Sequence, residues 1–176
     1  MSELAIAAPP ANEYNPYYSR YISLVPQADI LVSLERQLPE TLALLRGIPE
    51  ERAGYRYAAD KWSIKQVVGH LTDSERVFAY RALRIARNDA TPMEGFEQDD
   101  YVRYGPFEQV RLADLASEFE DVRRATLDLF QHLPPEAWTR RGVANKSEVS
   151  VRALAYIVAG HELHHRRVLE EKYLKG

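Results

Sequence analysis

Four stretches of apolar residues with a helical repeat constrain this chain more than any other feature. Within residues 26–46, 63–87, 110–132 and 151–173, apolar side chains recur every three or four positions, which places them on one face of an α-helix. A helix of roughly 20 residues is about 30 Å long, and helices of equal length that each bury one face pack as a bundle. The sequence therefore predicts an all-α fold, a four-helix bundle.

The boundaries of these helices are marked by capping residues and by prolines. Ser63 and Gln66 have the spacing of a capping box, and Ser150 precedes the fourth helix. Pro39 lies inside the first helix and is expected to kink it or to divide it in two. Residues 88–106 are irregular, and this connection between the second and third helices is long enough to cross one end of a bundle.

The length and composition of the chain fit one globular domain. With 176 residues, we expect a flexible N-terminal arm over residues 1–25 and a single bundle domain over residues 26–176. The absence of cysteine excludes disulfides and thiolate metal sites, and it is typical of a cytoplasmic protein. A net charge of −3 with interspersed signs argues against nucleic acid as a partner, and the apolar runs are too short to span a membrane.

Histidines carry the main functional signal. His161 and His165 are four residues apart on the predicted fourth helix, so both rings lie on its buried face and can bind one metal ion, whereas His164 points away. A lone inward histidine is usually a core residue, but two without a shared ion would be buried at a cost. His70, at the edge of the second helix's buried face, is the better third ligand. His132 suits capping of the third helix's C-terminus instead.

The same segment matches H-E-x-x-H, the motif of zinc proteases in which the glutamate is the general base. Those enzymes take a third ligand from downstream, but only 11 residues follow His165 and none is a histidine. A protease is therefore disfavoured. Glu162, which lies near the buried face, remains a candidate for three roles: a catalytic base, an outer partner of the metal site, or a member of a salt bridge.

Several segments together resemble the DinB/YfiT-like superfamily of metal-dependent enzymes. They are KWSIKQVVGHL at 61–71, ERVFAYR at 75–81, GFEQD at 95–99 and AGHELHH at 159–165. The resemblance implies a four-helix bundle in up-down-down-up order, with a long crossover after the second helix. It also implies a divalent metal bound by one histidine on the second helix and an H-x-x-x-H pair on the last, which match His70, His161 and His165.

The resemblance implies activation of water or of a low-molecular-weight thiol, and hence a hydrolase or an S-transferase acting on a small-molecule substrate. We expect zinc or nickel, with at least one coordination position left open. Other residues are candidates for orienting a ligand, moving a proton or lining the pocket: Asp73, Glu75, Asp99, Asp100, Trp62 and Tyr101.

An alternative is a non-catalytic binding or stress-response module, in which the metal is structural or absent and the bundle forms a homodimer. On that hypothesis, tyrosines near the N-terminal arm either pack against a partner subunit or stay disordered. These are Tyr14, Tyr17, Tyr18 and Tyr21.

Overall fold

The computed structural model describes residues 6–26 and 29–175, and most of them are helical. Over these residues the α-helices are α1 (Ser19–Ile22), α2 (Ile30–Arg46), α3 (Ile64–Ala86), α4 (Gln98–Tyr104), α5 (Leu112–Gln131) and α6 (Val151–Val168). Helix α6 ends in a wider turn, Leu169–Tyr173. In the described part of the chain, no helix is long and apolar enough to cross a lipid bilayer.

The four long helices form a bundle, as the apolar repeats predict. Helix α2 packs against α5 and α6, and α3 packs against the same two helices, so α2 and α3 lie across the bundle from each other. Their up-down-down-up order stays a prediction.

Capping explains where the helices begin. Ser63 and Gln66 form the predicted capping box at the start of α3, and the Ser150 side chain accepts a hydrogen bond from the Ala153 amide at the start of α6. Helix α2 begins at Ile30 rather than near Pro26, because the Asp29 side chain accepts from the amides that open it. The predicted start also includes residues 27 and 28, which lie outside the described residues.

Pro39 does not divide α2, which runs unbroken from Ile30 to Arg46. Pro39 is exposed, whereas Leu38 and Leu42 beside it are buried. The apolar face of α2 therefore packs on both sides of the proline and outweighs the hydrogen bond that the proline removes.

The structure adds a short two-stranded sheet to the helical fold, which the all-α prediction did not include. Strands β1 (Arg141–Ala144) and β2 (Ser147–Ser150) form an antiparallel hairpin immediately before α6. Its turn residues, Asn145 and Lys146, both have positive φ, as a tight hairpin turn requires. Met93 of the predicted crossover hydrogen-bonds to Val143 and Asn145 and so fixes the crossover to the hairpin.

The N-terminal segment is packed, not free. In the described part of the predicted arm, Tyr21, Ile22 and Val25 are buried, and α1 packs against α6. The contact is close because position 160 is glycine: a Cβ there would lie 2.1 Å from the Tyr21 carbonyl oxygen. Residues 1–5 lie outside the described residues.

A buried carboxylate holds the same segment to the hairpin end of the bundle. Glu13 accepts hydrogen bonds from the Ser150 hydroxyl at 2.7 Å and from Arg152 Nε at 2.7 Å. The Arg152 guanidinium holds the pKa of the Glu13 carboxyl below its usual value, although burial opposes the shift.

We expect Glu13→Gln to lower the free energy of unfolding at pH 7 by about 1 to 3 kcal/mol, since it weakens charged hydrogen bonds in a buried position. A carboxyl whose pKa is lower in the folded state stabilises the fold above its unfolded pKa. This contribution is lost as the pH falls through the folded value, so the difference between the two proteins should shrink below about pH 4. Urea denaturation at pH 7 and pH 3.5 measures it. Glu148→Gln, at an exposed hairpin carboxylate, is the control; equal losses in both variants would contradict the expectation.

Candidate metal centre

Three histidines from two helices meet inside the bundle. His70 lies in the second turn of α3, and His161 and His165 lie one turn apart on α6. His70 and His161 are buried, and His165 is partly buried. Because residues four apart on a helix share a face, both α6 rings are directed toward α3, as the sequence predicts.

The Nε2 atoms of the three rings converge. His70 Nε2 is 3.0 Å from His161 Nε2, and His165 Nε2 is 3.2 Å from His161 Nε2. In the described part of the chain, these three residues form the group of possible metal ligands, and their ligand atoms all lie within 4.8 Å of one another. Nitrogen ligands about 2.0 to 2.1 Å from one centre stand about 3 to 3.4 Å apart, so the spacing suits one ion.

Hydrogen bonding alone does not account for this arrangement. An imidazole nitrogen has one hydrogen-bonding direction in the plane of its ring, as donor or as acceptor. His161 Nε2 therefore cannot bond fully to both of its neighbours. A cation facing all three nitrogens would satisfy them together, so the donor set fits a divalent metal.

Burial keeps these imidazoles in the form that binds metals. Desolvation lowers the pKa of His70 to about 4, with a smaller contribution from His164. Desolvation also lowers the pKa values of His161 and His165 well below the usual range, and the neighbouring histidines add to the effect. All three rings are therefore neutral near pH 7, with lone pairs free for a metal.

Aromatic and hydroxyl groups surround the three rings. Trp62 packs on His70 with ring centroids 4.8 Å apart, and Tyr21 meets His161 edge to face at 5.2 Å. On the outer side of His70, the Ser74 hydroxyl lies 3.4 Å from Nδ1. Such neighbours restrict ring rotation and so hold the nitrogens in place.

A cavity of about 460 Å³ opens onto the histidines, a volume typical of small-molecule sites. His70 and His161 form part of its wall, together with aromatic and polar side chains: Tyr17, Tyr18, Tyr21, Phe78, Phe96, Asn15, Ser74, Arg81, Glu97, Gln98, Asp99, Asn145 and Ser147. A second cavity of about 400 Å³ is lined by Trp62, His164 and His165. Asp99 of α4 lines both cavities.

A buried ion network lies beside the three histidines. The Arg123 guanidinium on α5 donates two hydrogen bonds of 2.8 Å to the Glu75 carboxylate on α3 and one of 2.6 Å to Glu162 on α6. The Thr41 hydroxyl on α2 donates to the other Glu162 oxygen. Burial opposes the charge on Arg123, but the two carboxylates outweigh it and raise its pKa. All four long helices contribute to this network.

The network gives Glu162 one of the three roles that the sequence left open. Its side chain is 1% exposed, both of its oxygens accept hydrogen bonds, and it is not among the residues that line the two cavities. Of its three candidate roles, the geometry provides the salt bridge. Glu75, a candidate for orienting a ligand or moving a proton, is also bound in the network.

The other predicted residues separate into those at the site and those away from it. Asp99 and Trp62 line the cavities, whereas Asp100 is exposed and lines neither of them. Asp73 pairs with Arg76, and burial raises its pKa.

Two further predictions concern histidine and tyrosine side chains. His132 ends α5 and its Nδ1 lies 2.6 Å from the Asp128 carbonyl oxygen, which confirms the capping role. Tyr17, Tyr18 and Tyr21 line this chain's own cavity, although they were expected to face a partner subunit on the dimer hypothesis.

Sequence reasoning did not single out Arg123 or Thr41. For Arg123, the sequence does contain an indication of burial. The residue lies on the apolar face of α5 between Phe119 and Leu127, four residues from each. A charge at such a position needs a buried partner of opposite sign.

The fold and the site define a helical bundle with a three-histidine cluster at the wall of a cavity. The model of the DinB superfamily matches residues 33–169, and the chain belongs to that superfamily. No curated protein matches the chain.

A solved structure with a similar fold is that of YfiT from Bacillus subtilis. The two share 15% sequence identity, the match covers 96% of each chain, and the TM-score is 0.72. YfiT is described as "a probable metal-dependent hydrolase with an unusual four-helix bundle topology". At this identity the likeness establishes the bundle fold.

We expect Arg123→Met to lower the free energy of unfolding by about 3 to 5 kcal/mol, because it leaves two carboxylates buried without their cation. Arg124→Met is the matched control: Arg124 is exposed and pairs with Glu120 at the surface, so its loss should cost about 1 kcal/mol or less. Chemical denaturation of both variants tests this. Similar values for the two would show that the network is not what holds the helices.

Proposed function

We propose that this protein is a metal-dependent enzyme in which His70, His161 and His165 hold one divalent cation, zinc or nickel. The observation that carries the proposal is the convergence of the three Nε2 atoms beside a cavity whose wall includes His70 and His161. A structural zinc site is normally closed by four protein ligands, whereas three ligands are typical of a catalytic site. Among the described residues, the ligand cluster contains three.

When bound, the cation supplies a Lewis acid that can activate water or a low-molecular-weight thiol. Hydrolysis is the reaction to assay first, since the structural relative YfiT is described as a probable metal-dependent hydrolase. Transfer of a low-molecular-weight thiol at the same site is the second.

The chain's own groups have distinct tasks in this proposal. The histidines bind the cation, and the surrounding rings, Trp62 and Tyr21, limit the access of bulk water to them. Asp99 lines both cavities, and its carboxylate would accept the proton that the nucleophile loses. Glu162 and Glu75 act through Arg123 by fixing α6 and α3, and hence the histidines, relative to each other.

The first test is the metal content of untagged protein, measured by elemental mass spectrometry after incubation with zinc or nickel and removal of free metal. We expect about one ion per chain, and an affinity loss in His70→Ala, His161→Ala and His165→Ala that exceeds the roughly 10- to 100-fold typical of losing an outer partner. His164→Ala, at the neighbouring histidine outside the cluster, should keep its metal. Wild-type protein that takes up neither metal would contradict the proposal and favour a non-catalytic module, dimeric or not.

The second test concerns Asp99. In zinc-loaded protein, Asp99→Asn should slow the hydrolysis of p-nitrophenyl acetate by about 100-fold or more, the usual contribution of a general base, while the metal content stays unchanged. Asp100→Asn is the control, because Asp100 neighbours it in α4 but is not in the lining of either cavity. Equal rates in the two variants would exclude Asp99 as the proton acceptor.

A further inference from the structure

Arg81 is a buried cation that neither the metal site nor the ion network uses. It lies on α3, is 4% exposed, and lines the same cavity as His70 and His161. His70, Ser74, Phe78 and Arg81 all line this cavity, and their spacing places them on one face of the helix. Arg81 lies eleven positions after His70, which is about three turns, or about 16 Å along the helix axis.

The partners of the Arg81 guanidinium are uncharged. Its Nη2 donates to the Glu94 carbonyl oxygen at 2.7 Å. Burial raises the pKa of the nearby Tyr18 hydroxyl, and the positive charge of Arg81 opposes that rise. The rings of Phe78 and Phe96 lie 6.0 and 5.9 Å from its central carbon. Over residues 6–26 and 29–175, Arg81 makes no ion pair, in contrast to Arg123, which pairs with two carboxylates.

A buried guanidinium without a counter-ion is costly, and it has five N–H donors to satisfy. The acidic residues that share the cavity, Glu97 and Asp99, are exposed and form no salt bridge with it. A carboxylate is the ligand that matches a planar guanidinium best, because it can accept two parallel hydrogen bonds. The cavity therefore has a cationic end at Arg81 and a histidine end at His70 and His161.

We propose that this cavity binds an elongated small-molecule carboxylate, with its carboxylate on Arg81 and its opposite end at His70 and His161. The inference rests on the proposed function, because it takes the histidine end as the place of reaction. Between the two ends, the aromatic wall formed by Phe78 and Phe96 suits an apolar or aromatic middle section of the ligand.

The test uses benzoylglycine and benzoylglycylglycine as probes, with their C-terminal amides as neutral controls. Isothermal titration on metal-loaded and metal-free protein should give a carboxylate affinity that falls about tenfold or more in Arg81→Met, as expected for a lost charged hydrogen bond. The amides should bind more weakly than the acids and should not respond to the substitution. Arg84→Met is the matched control, since Arg84 lies one turn along α3, pairs with Asp89 and is not in the lining of this cavity.

A conservative variant and two folding measurements distinguish a loss of binding from a loss of folding. Arg81→Lys keeps the charge without the planar fork and should retain part of the affinity, while circular dichroism and a thermal melt check that both Arg81 variants fold. Equal binding of acids and amides, no binding of either acid, or an affinity that depends on the metal but not on Arg81 would overturn the inference. Failure of metal uptake would overturn the proposed function instead, and the metal-free titration would still report on Arg81.

Discussion

The ion network around Arg123 determines how the four long helices fit together. Its guanidinium is fully buried and bonds to Glu75 on α3 and Glu162 on α6, and Thr41 on α2 completes it. A buried ion pair contributes little net stability, but a broken one is costly, so the network disfavours any packing that separates its members. Along α3, α5 and α6, these residues lie between the two apolar clusters of the core. The clusters fix the positions of the helices less strictly than the ion network does, because apolar packing is not directional.

The positions of the three histidines depend on this network. Glu162 directly follows His161 on α6, and Glu75 lies five residues after His70 on α3. A bond that fixes the two glutamates relative to Arg123 therefore also fixes the spacing of the histidines. The two buried arginines differ in their partners. The charge of Arg123 is balanced by carboxylates of the chain, whereas Arg81 faces a cavity and has uncharged partners.

The sequence predicted what depends on local patterns. The repeat of apolar residues predicted the long helices, the capping box placed the start of α3, and the four-residue spacing of His161 and His165 predicted their shared face. Features that depend on contacts between residues far apart in the chain were not predicted. The hairpin was missed because its strands have four residues each and its turn is Asn-Lys. The packing of residues 6–25 depends on Glu13 meeting Arg152, 139 positions away, and on the missing side chain at Gly160.

X-ray absorption spectroscopy of protein loaded with one equivalent of zinc or nickel tests the three-histidine site, because it counts the ligands of the ion. We expect three imidazole nitrogens about 2.0 to 2.1 Å from the metal, with the remaining positions filled by light atoms from solvent. His164→Ala should give the same spectrum and His161→Ala a different one. A wild-type spectrum with fewer than three imidazoles would contradict the assignment of His70, His161 and His165 as the metal site.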